Sequence, residues 1–439
     1  MKKHLTLLVS AALSAIALYA GVGARLTHAA PGDIFNLGTL GGIESYGSGV
    51  NDAGQVAGGS DTSGGVFHAF RYTGTPGSGG AMADLGTLGG TTSSGLAIND
   101  AGQVAGVSDT GGDAAFHAFR YTGTPGSGGA MADLGTLGGQ GSVGYGINAA
   151  GQVAGYAFMT GNATVHAFRT APNAAINPIT DDLGTLGGTD SLGFGINDAG
   201  QVAGESQTTG DTATHAFRYT GTPGSSGAMA DLGTLGGTHS TGNAINASGQ
   251  VAGASDTTVF GPRHAFRYTG TPGSGGAMAD LGTLGGTYSI GWEINDAGFV
   301  VGDADRSAGA GGEQVATLWQ IDAGNTIVDL DAWLDANNPT LGAYWMLSAA
   351  DGINDNGLIT GYGIYNDGPG GLSDGTRAFI LDASSLVVPE PATLALLALG
   401  LPLFVGRNSR RSVAGEVRGR RRFVLTTPIR ALAVARADQ

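Results

Sequence analysis

The chain has 439 residues, no cysteine and a formal net charge of -15, and its 83 glycines and 14 prolines make up more than a fifth of it. The lack of cysteine excludes disulfides and thiolate metal sites, and the acidic balance disfavours nucleic acid and anionic membrane surfaces as partners. The charge is unevenly spread: Pro31 to Pro391 holds 33 acidic residues against 8 arginines and no lysine, whereas 9 arginines face Glu416 and Asp438 beyond it.

Residues 1–30 read as a signal peptide. Lys2 and Lys3 form a basic start, Leu5–Ala20 is largely apolar, and Thr27-His28-Ala29-Ala30 offers a small-residue cleavage site. Signal peptidase is therefore an expected partner. The alternative is an uncleaved membrane anchor; Arg25 and the small residues around it favour cleavage.

Residues 31–384 repeat one phrase. Leu37, Leu85, Leu134, Leu183, Leu232 and Leu281 each open an LGTLGG, 48 or 49 residues apart, and Leu330 follows in the degenerate form DLDAWL. A fixed period of this size marks a repeat architecture whose stacked units share an interior. The glycine content therefore does not imply disorder. In the second unit, Ser93–Ile98 alternates into the turn Asn99-Asp100-Ala101-Gly102, and Gln103–Ser108 completes a hairpin. Phe116–Tyr121 is a third strand with His117, Phe119 and Tyr121 on one face, Thr122–Ala130 a Gly/Pro turn region, and Met131–Leu134 a fourth strand. Four short strands without helical periodicity predict one blade of an all-β propeller.

The hairpin turn occurs seven times, at Asn51, Asn99, Asn148, Asn197, Asn246, Asn295 and Asn354. The third strand also has seven copies: five around His68, His117, His166, His215 and His264, then Ala316–Trp319 and Arg377–Phe379. Fourth strands precede Leu85, Leu134, Leu183, Leu232, Leu281 and Leu330, and the missing seventh is Asp33–Leu37 at the start of the repeats. Inserting that strand into the last unit (Trp345 to Asp382) leaves no open edge. The expected fold is a seven-bladed β-propeller closed by its N-terminal strand; an open β-solenoid is the rival.

Residues 386–411 change composition. Pro389-Glu390-Pro391 precedes an uncharged stretch, 392–406, and then Arg407, Arg410 and Arg411. The stretch is expected to be a short transmembrane helix; it falls short of the ~20 residues a full span needs, and the arginines set the cytoplasmic side. Residues 412–439 form a basic extension expected to be disordered.

Two resemblances follow from these motifs. The DLGTLGG, INDAGQVAG and HAF units resemble the HAF family of bacterial extracellular repeats across Asp33–Asp382. The stretch from Val388 to Arg411 resembles the PEP-CTERM sorting signal of Gram-negative bacteria, through Pro389, Glu390, Pro391, the apolar run and Arg407, Arg410 and Arg411. That resemblance implies an exosortase-like sorting enzyme as partner, at least transient anchoring in the inner membrane, and delivery to the cell surface or exopolysaccharide. Such signals normally end after the arginines; the extension Ser412–Gln439 is either an altered reading frame or a cytoplasmic tail.

Candidate chemistry is sparse. The repeated histidines lie on separate units, so each is expected to bond a neighbouring loop and not a metal, and the Asn-Asp-x-Gly turns lack the dense carboxylates of a calcium loop. No cofactor is implied. Arg71, Arg120, Arg169, Arg218 and Arg267 stand beside strands carrying Asp84, Asp133, Asp182, Asp231 and Asp280, which predicts Arg–Asp ion pairs. The glutamates of the repeats, Glu44, Glu205, Glu293 and Glu313, offer no unique carboxylate pair of the kind a glycosidase needs. Variation concentrates in the loops between second and third strands and in the insertion Asp331–Leu347. There Trp333, Tyr344 and Trp345 form the candidate ligand face. The reading is a non-enzymatic exported surface protein with a structural, adhesive or exopolysaccharide-associated role; the alternative is a propeller enzyme acting on extracellular polysaccharide.

Overall fold

The computed structural model describes residues 30–75, 78–307, 312–320, 326–366 and 375–387. The signal peptide, the Pro389–Pro391 triplet, the 392–406 stretch, Arg407, Arg410, Arg411 and the extension lie outside them. The described chain is mostly β, in four-stranded antiparallel sheets. The second unit shows how the repeat builds one. Its strands are β6 (Gly89–Ile98), β7 (Val104–Thr110), β8 (Phe116–Thr124) and β9 (Ser127–Asp133), paired in that order. The third and fourth strands run further than the sequence suggests. Most of Thr122–Ala130 is ladder, and Pro125-Gly126 makes the turn, with Gly126 at φ +71° in a region favouring glycine.

Each sheet is short in side chains because neighbouring rings occupy the space. A Cβ on Gly106 would stand 2.0 Å from the Ser94 carbonyl oxygen and 2.8 Å from the Phe119 ring. Phe119 and its counterparts Phe70, Phe168, Phe217, Phe266 and Phe379 are fully buried, each worth roughly 2–3 kcal/mol of burial. The core lies between sheets: Ala57, Ala69 and Leu85 of the first unit pack with Val104, Phe119 and Tyr121 of the second.

Six of the seven units have the full four strands. In the third, β10 (Gly138–Ile147), β11 (Val153–Met159) and β12 (Val165–Arg169) pair, but the expected fourth strand before Leu183 is reduced to one bridge between Phe168 and Asp182. Here APNAAINPIT replaces TGTPGSGGAMA, and its two prolines lack the N–H groups a ladder requires. The last sheet has the order β1-β27-β26-β25: Ile34–Asn36 (β1) pairs antiparallel with Gly375–Asp382 (β27), beyond Leu358–Tyr365 (β26) and Trp345–Ile353 (β25).

A cycle of hydrogen bonds joins the units. Asn51 Nδ2 donates to the Asn99 carbonyl at 3.0 Å, and the same bond steps through Asn148, Asn197, Asn246, Asn295 and Asn354; Asn354 returns to the Asn51 carbonyl at 2.9 Å. Each step uses the same register, so the turn sequence both closes its hairpin and joins the next unit.

The insertion is helical. Helix α1 (Leu330–Asn337) is capped by Asp329, whose side chain accepts from Ala332 N, and α2 (Pro339–Gly342) by Asn338. Leu330 and Leu334 are fully buried against Leu318, Leu347 and Phe379. Arg306 ties the helix down, bonding Asp329 at 2.6 Å, Asp331 at 2.9 Å and Glu313 at 3.1 Å.

The Arg–Asp ion pairs expected from the sequence do not form. Arg120 pairs in register with Ala132, while Asp133 takes His117 Nδ1 at 2.8 Å and the Gly135 N–H at 2.7 Å. The same His–Asp pair recurs at His68, His166, His215 and His264. The arginines turn toward the next unit. Arg120 Nη2 donates to the Asn173 carbonyl at 2.6 Å, and Arg71 bonds the carbonyls of Gly102 and Gly123. Alternation puts consecutive strand residues on opposite faces, so His117 and Arg120 serve different neighbours.

Candidate functional site

The first strand of every unit carries a β-bulge three residues before its turn asparagine. The extra residue is Ser48, Leu96, Tyr145, Phe194, Asn243, Trp292 or Asp351. Bulges re-aim side chains. The flanking residues scarcely vary, yet these seven are all different.

Beside two of these residues and the strand positions that follow most of the others lies a common space. A cavity of about 220 Å³ is lined by Ser48, Leu96 and the next positions along, including Gly49, Ala97, Gly146, Gly195, Glu293 and Gly352. Where the other units have Gly or Ala, the sixth has Glu293. Burial pushes the Glu293 carboxyl up to about 7, against one opposing bond from the Ile294 N–H. A second cavity of similar size is ringed by the seven turn asparagines with Asp52, Asp100, Asp198, Asp296 and Asp355. Those aspartates are structural in part: Asp100 Oδ1 accepts from Asp52 N, and Asp198 Oδ1 from Ala149 N.

Aromatic rings and carboxyls gather around the bulges. Tyr145 meets Phe194 edge-on with centroids 5.0 Å apart and Tyr156 at 6.0 Å. Tyr46 meets Tyr362 at 5.0 Å across the first and last units. Trp292, 38% exposed, donates its indole N–H to Asp303 Oδ1 at 2.6 Å. Asp303 is 7% exposed and is pushed up to about 6, by burial first, against the Trp292 bond. Asp351 is pushed up to about 8 by burial and by the Asp303 charge. Tyr362 rises to about 12 from burial and the charges of Asp351 and Asp303. In the neighbouring unit, Thr241 Oγ1 donates to Glu205 at 2.6 Å and accepts from Arg263 at 2.9 Å, and Arg263 forms a β-bridge with Tyr288 beside Asp303.

The insertion is less suited to a ligand. Trp345 is 9% exposed and packs on Tyr365 (4.8 Å) and Phe379 (5.9 Å), so it is core and not ligand face. Trp333 is half-buried against the same cluster, and Tyr344 remains 40% exposed. Sequence reasoning placed variation in the loops; the signal for the bulge positions is variation at one strand position, aligned through the turn asparagine.

Among the described residues no helix is long and apolar enough to cross a membrane, and no group of three or more His, Asp or Glu stands ready to hold a metal ion. No curated protein matches the chain. Residues 387–411 match the family described as the PEP-CTERM protein-sorting motif, which indicates sorting by an exosortase system to the cell surface.

Proposed function

We propose that the chain is a seven-bladed β-propeller of HAF-type repeats that works outside the cell as a non-enzymatic, adhesive component of the exopolysaccharide layer. The observation that carries the binding role is the set of bulge positions, seven unlike residues each at the same place on a uniform frame. Scaffold positions repeat because every unit needs them; a position that differs in all seven is free of that demand and available for recognition. The sorting motif supplies the location, and the closed asparagine cycle supports the propeller reading. Surface labelling of intact Gram-negative cells expressing the full chain tests the location. Label on wild type, lost when Pro389–Pro391 is replaced by alanines, is expected; equal labelling of both would overturn it. Exported protein should co-sediment with extracellular polysaccharide and leave its chain length unchanged.

The second reading, a polysaccharide-cleaving enzyme, is favoured by one observation. Asp303 and Asp351 are neighbouring carboxyls held at about 6 and about 8, a split that separates acid and base roles. Shortening of the polysaccharide, abolished by Asp351→Asn, would establish it.

A further inference from the structure

The residue before each turn glycine is small in six units and is not in the seventh. Ala53, Ala101, Ala150, Ala199, Ser248 and Ala297 occupy the place that Asn356 takes in the last. The glycine after it is demanded by the turn: Gly357 lies at φ +82°, and an added Cβ would run into Val387. Asn356-Gly357 is thus the one Asn-Gly step in the sequence. Glycine has no side chain to shield its amide nitrogen from the amide carbon of the asparagine before it. The Gly357 N–H holds the Asn354 carbonyl at 3.3 Å, whereas the equivalent bond is 2.9 Å at the other six turns, so this nitrogen is the least restrained of the seven. Asn356 itself is exposed, and water reaches it.

A change at this side chain falls on the junction of the last unit with the first. Asn356 Nδ2 donates to the Asp52 carbonyl at 3.3 Å, and Asp355 N donates to Asp52 Oδ1 at 3.3 Å. Negative charge already crowds the place: Asp52 is pushed up by burial and then by the charges of Asp100 and Asp355.

We propose that Asn356 is a self-modification site whose deamidation loosens this junction. The Gly357 nitrogen attacks Asn356 Cγ and sheds its proton as the new C–N bond forms, and the side-chain nitrogen leaves as ammonia. Water then opens the five-membered imide at either carbonyl, giving aspartate or isoaspartate at position 356. Both products put a carboxylate where an amide donated to the Asp52 carbonyl, and isoaspartate also adds a backbone carbon inside the turn.

The test is to age the full chain at pH 8 and at pH 5, then map its peptides by mass spectrometry with isoaspartate detection and follow its melting temperature. Conversion at position 356 should run ahead of every other asparagine and be faster at pH 8, where the attacking nitrogen loses its proton more readily. The melting temperature should fall in step with it. Asn356→Ala carries the residue that most other turns use, so it should fold, and over the same ageing its melting temperature should hold. Intact Asn356, in a buffer where the free peptide Ile353–Ile359 converts, would overturn the proposal by showing that the turn blocks the attack. Full conversion with an unchanged melt would overturn the effect on the junction.

Discussion

Asp351 shows how one residue sets the pH response of the fold. Its folded pKa of about 8 lies above the roughly 3.9 of an unfolded aspartate. The folded state therefore keeps a proton that the unfolded chain releases, and stability falls as pH rises from about 4 to about 8. Asp351→Asn should add on the order of 2–4 kcal/mol at pH 9, allowing for partial solvent screening, and nothing at pH 4. Urea unfolding at both values measures this; an equal gain at each would remove the titration argument. His166 shifts stability in the same direction, through a charge pair in place of burial. Its bond to Asp182 raises its pKa, so its contribution is complete below the unfolded value and is lost as pH rises through the folded one. His166→Gln should cost about 1 kcal/mol at pH 5.5 and little at pH 9, read from thermal melts.

At the scale of elements, two pieces depend on long-range partners. Strand β1 contributes a short ladder to the last sheet and the buried Ile34. Deleting Asp33–Leu37 exposes the edge of β27 and should lower the melting temperature sharply; an unchanged melt would show that the edge needs no cover. Helix α1 is held by Arg306, whose three carboxylate partners keep its pKa above the usual range. Arg306→Ala leaves Asp331, 8% exposed, without its cation, at a cost of about 2–3 kcal/mol. Proteolysis within residues 330–342 should accelerate in that variant before the rest of the chain is cut.

For the molecule as a whole, the asparagine cycle makes each unit depend on the next. Asn148→Asp keeps the acceptor for Gln152 N but removes the amide that donates to Gln152 Oε1 and the Asn197 carbonyl. An unpaired buried carbonyl costs about 1–3 kcal/mol. A closed cycle should transmit that loss to every unit, so calorimetry should show one transition at a lower temperature. Two separated transitions would indicate units that melt independently, as in an open array.

The period, the seven turns and the edge-filling first strand were legible along the chain because each rests on local chemistry. Asn, Asp and Gly specify the turn wherever they fall, and a missing fourth strand can be counted. The same local logic failed at Arg120, which sequence proximity paired with Asp133. The face on which each side chain stands sends one to the next unit and the other to His117. It failed at Trp345 too, since an aromatic in an insertion gives no sign of whether helix α1 will cover it. The bulge ring depended most on tertiary structure. Ser48 and Asp351 are 303 residues apart in the chain, and Trp292 and Asp303 belong to different strands of one sheet. Only packing of one unit against the next makes such residues neighbours, and burial there raises the carboxyls of Asp303 and Asp351. Local propensity spelled out each sheet, whereas the relation between sheets, and with it the candidate site, came from packing.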